Sequence, residues 1–116
     1  MDTMFDLNVL LLKLEVSQNN FKKLVQKIYA EEMNDKPKDE VLSLLSQGKE
    51  EFMALMEEAN QIPEPNDQVK DLQYQIFNSL LLANDLITFY SEDLFDRFRL
   101  RYENYKQRER VNSLLK

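Results

Sequence analysis

The sequence predicts an all-α protein, an antiparallel bundle of four helices. Three observations carry that expectation. The 116 residues include one Gly and three Pro, too few for the turns a β fold of this size needs. Apolar residues recur at alternating spacings of three and four, the repeat that keeps one stripe on one helix face. The strongest breaks in the repeat, at Asn34-Asp35-Lys36-Pro37 and Ile62-Pro63-Glu64-Pro65-Asn66-Asp67, divide the chain into pieces of helical length. At 13.9 kDa, residues 1–116 amount to one helical-bundle domain. A folded monomer of this mass exposes ~6,700 Å² against ~20,000 Å² unfolded, which leaves room for a real core.

The first helix is expected over residues 3–33. Leu7, Leu11, Leu14, Phe21, Val25 and Ile28 form its stripe, with Gln18 filling one position. Val9, Leu10, Leu12 and Val16 lie off that stripe and make the first half of the helix apolar nearly all round. A small bundle needs one buried face per helix, so these four residues are the candidate partner-binding surface. Ser17-Gln18-Asn19-Asn20 is a run of weak helix formers and marks an expected kink or local break.

The second helix follows Asn34–Pro37. Asp35 is the expected cap, and Pro37 suits the first turn, where its missing N–H is not needed. The stripe Val41, Leu45, Gly48, Phe52, Leu55 and Ala59 carries the helix to about Asn60. The only Gly of the chain sits on that stripe. Gly inside a helix costs up to ~1 kcal/mol against Ala, and close approach of a neighbouring helix is the expected compensation.

Asn66 or Asp67 caps a third helix over about 68–90. Val69, Leu72, Ile76, Leu80, Ala83, Leu86, Ile87 and Tyr90 form its buried face, and Phe77, Leu81 and Leu82 widen it. Ser91-Glu92-Asp93 then reads as a fresh start, with Ser91 as cap and two acids at the positive end of the helix dipole. The fourth segment, about 92–114, places Leu94, Phe95, Phe98, Tyr102 and Tyr105 at helical spacing. No Gly or Pro enforces the break at 91–93. The alternative is therefore three helices, the last one long and bent.

Function narrows first by exclusion. With no Cys and no His, the chain has no disulfide framework, no thiol chemistry, no zinc site of the usual kind and no Ser-His-Asp triad. One Gly rules out a Gly-rich phosphate loop. The acidic pairs Glu31-Glu32, Asp39-Glu40, Glu50-Glu51 and Glu57-Glu58 lack the EF-hand spacing and read as solvated faces. Asp85, set in an apolar stretch, is expected at a polar edge or paired with an Arg of the last segment. No catalytic residue, cofactor or metal is expected, nor a small-molecule substrate. The longest apolar run, Val9–Leu12, is far short of a membrane span. Met1-Asp2 lacks the basic start of an export signal, so the cytoplasm is the default compartment. All eight basic residues before position 97 are Lys; with the many Asn, this suggests a low-GC bacterial genome.

The charge is unevenly placed. The net charge is −6, yet all five Arg lie in residues 97–116, which carry +5 against −11 for residues 1–96. Tyr interleaved with Arg is the composition of single-strand nucleic-acid binders. Arg99, Arg101, Tyr102, Tyr105, Arg108 and Arg110 are the contact residues of that alternative. The stronger expectation is that the rings are core and the cations meet acidic helices, with Arg97, Arg101 and Arg108 toward those acids and Arg99 and Arg110 freer. The expected function is non-enzymatic binding of a partner protein, as an adaptor, chaperone, inhibitor or regulator, a second copy of the chain being one such partner. A nucleic-acid-binding regulator is the alternative.

Overall fold

The computed structural model describes the backbone of residues 3–63 and 66–115, and the side chains of 7–63 and 66–109. It contains four helices: α1 (Thr3–Tyr29), α2 (Lys38–Asn60), α3 (Asp67–Ser91) and α4 (Phe95–Leu115). They form a four-helix bundle 48 × 30 × 19 Å in extent. The most extensive pairing is α2 on α3, followed by α1 on α2 and α4 on α3. Side chains fix the directions. Lys13 meets Glu58 and Phe21 meets Phe52, so α1 and α2 are antiparallel. Gln73 reaches the Ala59 carbonyl, and Arg101 reaches Asp85, which sets α3 against both neighbours. The circuit closes where Lys22 pairs with Glu109 and Tyr29 with Glu103.

The helix ends have local causes. Asn66 accepts a hydrogen bond from the Val69 N–H at 2.9 Å and starts α3. Asp35 does not cap α2; Pro37 takes the cap position with extended backbone and no side-chain bond. α1 stops at Tyr29 rather than 33 because Glu31 adopts φ 63°. The Glu31 N–H then bonds to the Ile28 carbonyl and the Glu32 N–H to that of Lys27, the Schellman pattern. α3 ends the same way. Asp93 has φ 60°, its N–H bonds to the Tyr90 carbonyl, and the Leu94 N–H bonds to that of Phe89. Ser91 is thus the last residue of α3 rather than the cap of α4, and the third and fourth helices are separate. Both left-handed residues are acids, although Gly fits this geometry at less cost. Both also serve as ion-pair partners, Glu31 to Arg99 at 3.6 Å and Asp93 to Lys38 at 3.0 Å.

The core follows the expected stripes of α2 and departs from those of α1 and α3. In α1 the buried series is Leu7, Leu10, Leu14, Phe21, Val25 and Ile28. Leu10, expected at an interface, is 5% exposed and belongs to the core, whereas Leu11 faces outward. The reason is geometric: Leu10 completes the i, i+3, i+7 spacing with Leu7 and Leu14, and Leu11 shares its side of the helix with Gln18, Lys22 and Tyr29. No local break interrupts α1 at Ser17–Asn20, which stays helical throughout. Instead Gln18 donates to the hydroxyl of buried Ser79 at 3.2 Å, and that hydroxyl donates to the Gln75 carbonyl at 3.1 Å. In α3, Leu82 is buried as expected, but Phe77 and Leu81 are exposed. They lie with Tyr74 on the side opposite Leu72, Ile76 and Ser79. Met33, in the α1–α2 connection, folds back into the core.

Candidate protein-binding surface

Outward from the α1 core stripe lies a second apolar stripe. Val9, Leu12 and Val16 repeat at i, i+3, i+7, and their exposures are 37%, 63% and 50%. Among the described residues they stand exposed. This is three of the four residues expected there; the fourth, Leu10, is the core residue described above. Leu12 and Val16 form one wall of a groove of ≈430 Å³ between α1 and α2. Lys13 and Ser17 line the same side, and Glu51, Ala54, Leu55 and Glu58 line the other. Leu55 is a core residue, so the groove floor is continuous with the interior. Glu51, Ala54 and Glu58 repeat at i, i+3, i+7, which turns them together toward α1. Lys13, the cation among the lining residues, lies 3.4 Å from Glu58.

The α2 half of this groove leaves little signal in the sequence. Ala54 is too small to register in an apolar pattern, and the pairs Glu50-Glu51 and Glu57-Glu58 read as solvent-facing. They are exposed, but two of the four carboxylates border an apolar trough rather than an open helix face. A further outward stripe, Tyr74, Phe77 and Leu81 on α3, includes two residues whose spacing suggests the core.

The Arg/Tyr segment is arranged differently from a base-stacking platform. Tyr102 is 1% exposed and packs with Tyr29, ring centroids 6.0 Å apart, so its faces are not open to a nucleobase. Tyr102, a contact residue of the nucleic-acid alternative, is instead a core ring, in line with the stronger expectation: its i, i+4 relation to Phe98 turns both rings into the core. Tyr105 is half-buried against the same core. Arg101 donates to Asp85 at 2.8 Å, the pairing anticipated for that carboxylate. Arg99, expected to be freer, is the most engaged of the described arginines. Its guanidinium lies 5.0 Å from the Tyr29 ring centroid and 4.8 Å from that of Phe95. It also donates to the Tyr29 carbonyl at 2.9 Å, at the negative end of α1, where a cation is favoured. Arg97 and Arg108 are exposed, and the side chain of Arg110 lies outside the described residues.

The phenols report the same packing. Tyr29 titrates above its ordinary value, chiefly because its hydroxyl donates to the Glu103 carboxylate. Burial is the main cause that raises Tyr90 and Tyr105. Among the described residues no group of three or more carboxylates is placed to hold a metal ion, and no helix is long and apolar enough to cross a membrane. Compared with protein-family models, with curated proteins and with solved structures, the chain matches none.

Proposed function

We propose that this protein is a non-enzymatic binding module that engages a partner protein through the outward face of α1. The observation that carries the proposal is the stripe Val9, Leu12 and Val16, exposed on a helix whose opposite face already supplies the core. Exposed large apolar side chains cost free energy in water, ~25 cal/mol for each Å² left uncovered, and a contiguous group beside a groove is characteristic of an interaction site. An adaptor, chaperone, inhibitor or regulator would all use such a face. A second copy of the chain is one form the partner takes. The proposed setting is the cytoplasm of a bacterial cell; the bacterial part rests on the Lys and Asn usage, and the compartment is the default.

The test is capture from a lysate of the native host, with and without nuclease, using wild type and Leu12→Asp. Leu12 is exposed, so the variant should keep its helical circular dichroism. The proposal predicts protein partners that survive nuclease and are lost with Leu12→Asp. Recovery of nucleic acid, with partners released by nuclease, would support the alternative regulator instead.

A further inference from the structure

We infer that the occupant of the α1–α2 groove is a basic amphipathic helix of a partner protein, its apolar side laid along Leu12, Val16 and Ala54 and its Lys or Arg residues set against the carboxylates of α2. The inference rests on the protein-binding proposal and gives the partner its chemistry. Shape is the first argument. The groove runs between two antiparallel helices, has an apolar floor at Leu55 and one apolar wall at Leu12 and Val16. A third helix seated in such a trough buries anchors at i, i+3 or i+4, and i+7, the helix-in-groove mode.

Charge is the second argument and decides the sign of the partner. Glu51 and Glu58 line the groove on either side of Ala54. Glu50 and Glu57, each one residue earlier, stand exposed on the solvent side of the same two turns. Lys13 is the lining residue of opposite sign, and it is paired with Glu58. A helix entering the groove therefore meets Glu51 beside its apolar contacts, with Glu50 and Glu57 exposed on the adjoining solvent side of α2. Acidic flanks on the incoming helix would face like charge, which suppresses binding; basic flanks gain attraction and faster encounter. Residues 1–96, which include both walls of the groove, carry −11 and reinforce the bias.

The test uses fluorescent Leu/Lys, Leu/Gln and Leu/Glu amphipathic peptides, each of ~15 residues, long enough for about four helical turns. Affinity is read by anisotropy and the site by amide chemical-shift mapping. The Leu/Lys peptide is expected to bind best, to shift amides around Leu12, Val16 and Ala54, and to weaken with added salt. Leu12→Asn should weaken it at least ~tenfold. Glu50→Gln, Glu51→Gln and Glu57→Gln combined should remove most of its advantage over the Leu/Gln peptide. The control variant Phe77→Asn, on α3, should bind like wild type. If the Leu/Gln or Leu/Glu peptide binds equally well in the same groove, protein binding stands and the basic partner is overturned. If the Leu/Lys peptide binds with Leu12→Asn unchanged, or maps to α3, the groove assignment is overturned.

Discussion

The ring of Phe21 occupies the space beside Gly48 that a side chain would need: a Cβ at position 48 would overlap Cδ1 of Phe21 and lie 3.0 Å from Cε1. The ring has little room to retreat. It is buried and stands edge-on to Phe52, centroids 5.6 Å apart. Gly48 is therefore where α2 receives an aromatic ring of α1.

Gly48→Ala gains helix propensity of up to ~1 kcal/mol but must displace that ring. Overpacking costs ~1–3 kcal/mol, so the substitution is expected to be net destabilising, and Gly48→Leu more so. Chemical denaturation measures both. Phe21→Leu combined with Gly48→Ala should recover part of the loss, a coupling that a double-mutant cycle reads directly. Additive effects would show that the ring is not the obstacle.

Gly48 shows what the sequence makes legible. A lone Gly on an apolar stripe announces close approach, and the stripe of α2 survives intact in the structure. The run Val9-Leu10-Leu11-Leu12 is the opposite case. Four consecutive apolar residues satisfy more than one phase of the helical repeat, and only packing against α2 and α3 selects Leu10 over Leu11 for the core. Phe77 and Leu81 read as inward for the same reason, being apolar beside a true core series. The break at Asp93 was legible in position but not in mechanism, since a left-handed acid stabilised by Lys38 leaves no Gly or Asn to read. The α1–α2 groove is legible on its α1 side alone, because its α2 side presents Ala and Glu.

Tyr102 supplies a second prediction. Its hydroxyl is buried with no hydrogen-bond partner among the described residues, while its ring packs against Tyr29. An unsatisfied buried hydroxyl costs about 1–3 kcal/mol, so Tyr102→Phe should leave stability unchanged or raise it by ~1 kcal/mol. A clear loss of stability would reveal a partner for the hydroxyl.

The two engaged arginines orient α4. Arg101 pairs with Asp85 on α3, and Arg99 bridges to Glu31 and the end of α1. The carboxylates stand partly in water, where a pair contributes ~0–1 kcal/mol and is screened by salt. Arg99→Glu combined with Arg101→Glu should speed amide hydrogen exchange in α4 while changing global stability modestly. Unchanged exchange in α4 would show that apolar packing of Phe98 and Tyr102 alone holds the helix.

Alkaline pH should loosen the bundle through its phenols. Tyr29, held by Glu103, and Tyr105, raised chiefly by burial, both titrate above the ordinary tyrosine value in the folded state. Each contribution is fully present below the unfolded value of about 10 and is lost as pH rises through the higher folded value. Tyrosinate absorbance should show late-titrating phenols in the folded protein, and the denaturation midpoint should fall above about pH 10. Tyr105→Phe should flatten that fall. Phenols that all titrate at the ordinary value would contradict the packing of α4 described here.

Photo-crosslinking inside the native host tests the claim that the outward face of α1 is an interface most directly. A photoreactive phenylalanine analogue is placed in turn at positions 12 and 16, and at exposed Asn104 on α4 as a control. Binding through α1 predicts discrete protein adducts from positions 12 and 16, with mass twice that of the chain if the partner is a second copy, and none from 104. Adducts from position 104 with none from 12 or 16, or adducts to nucleic acid, would contradict it.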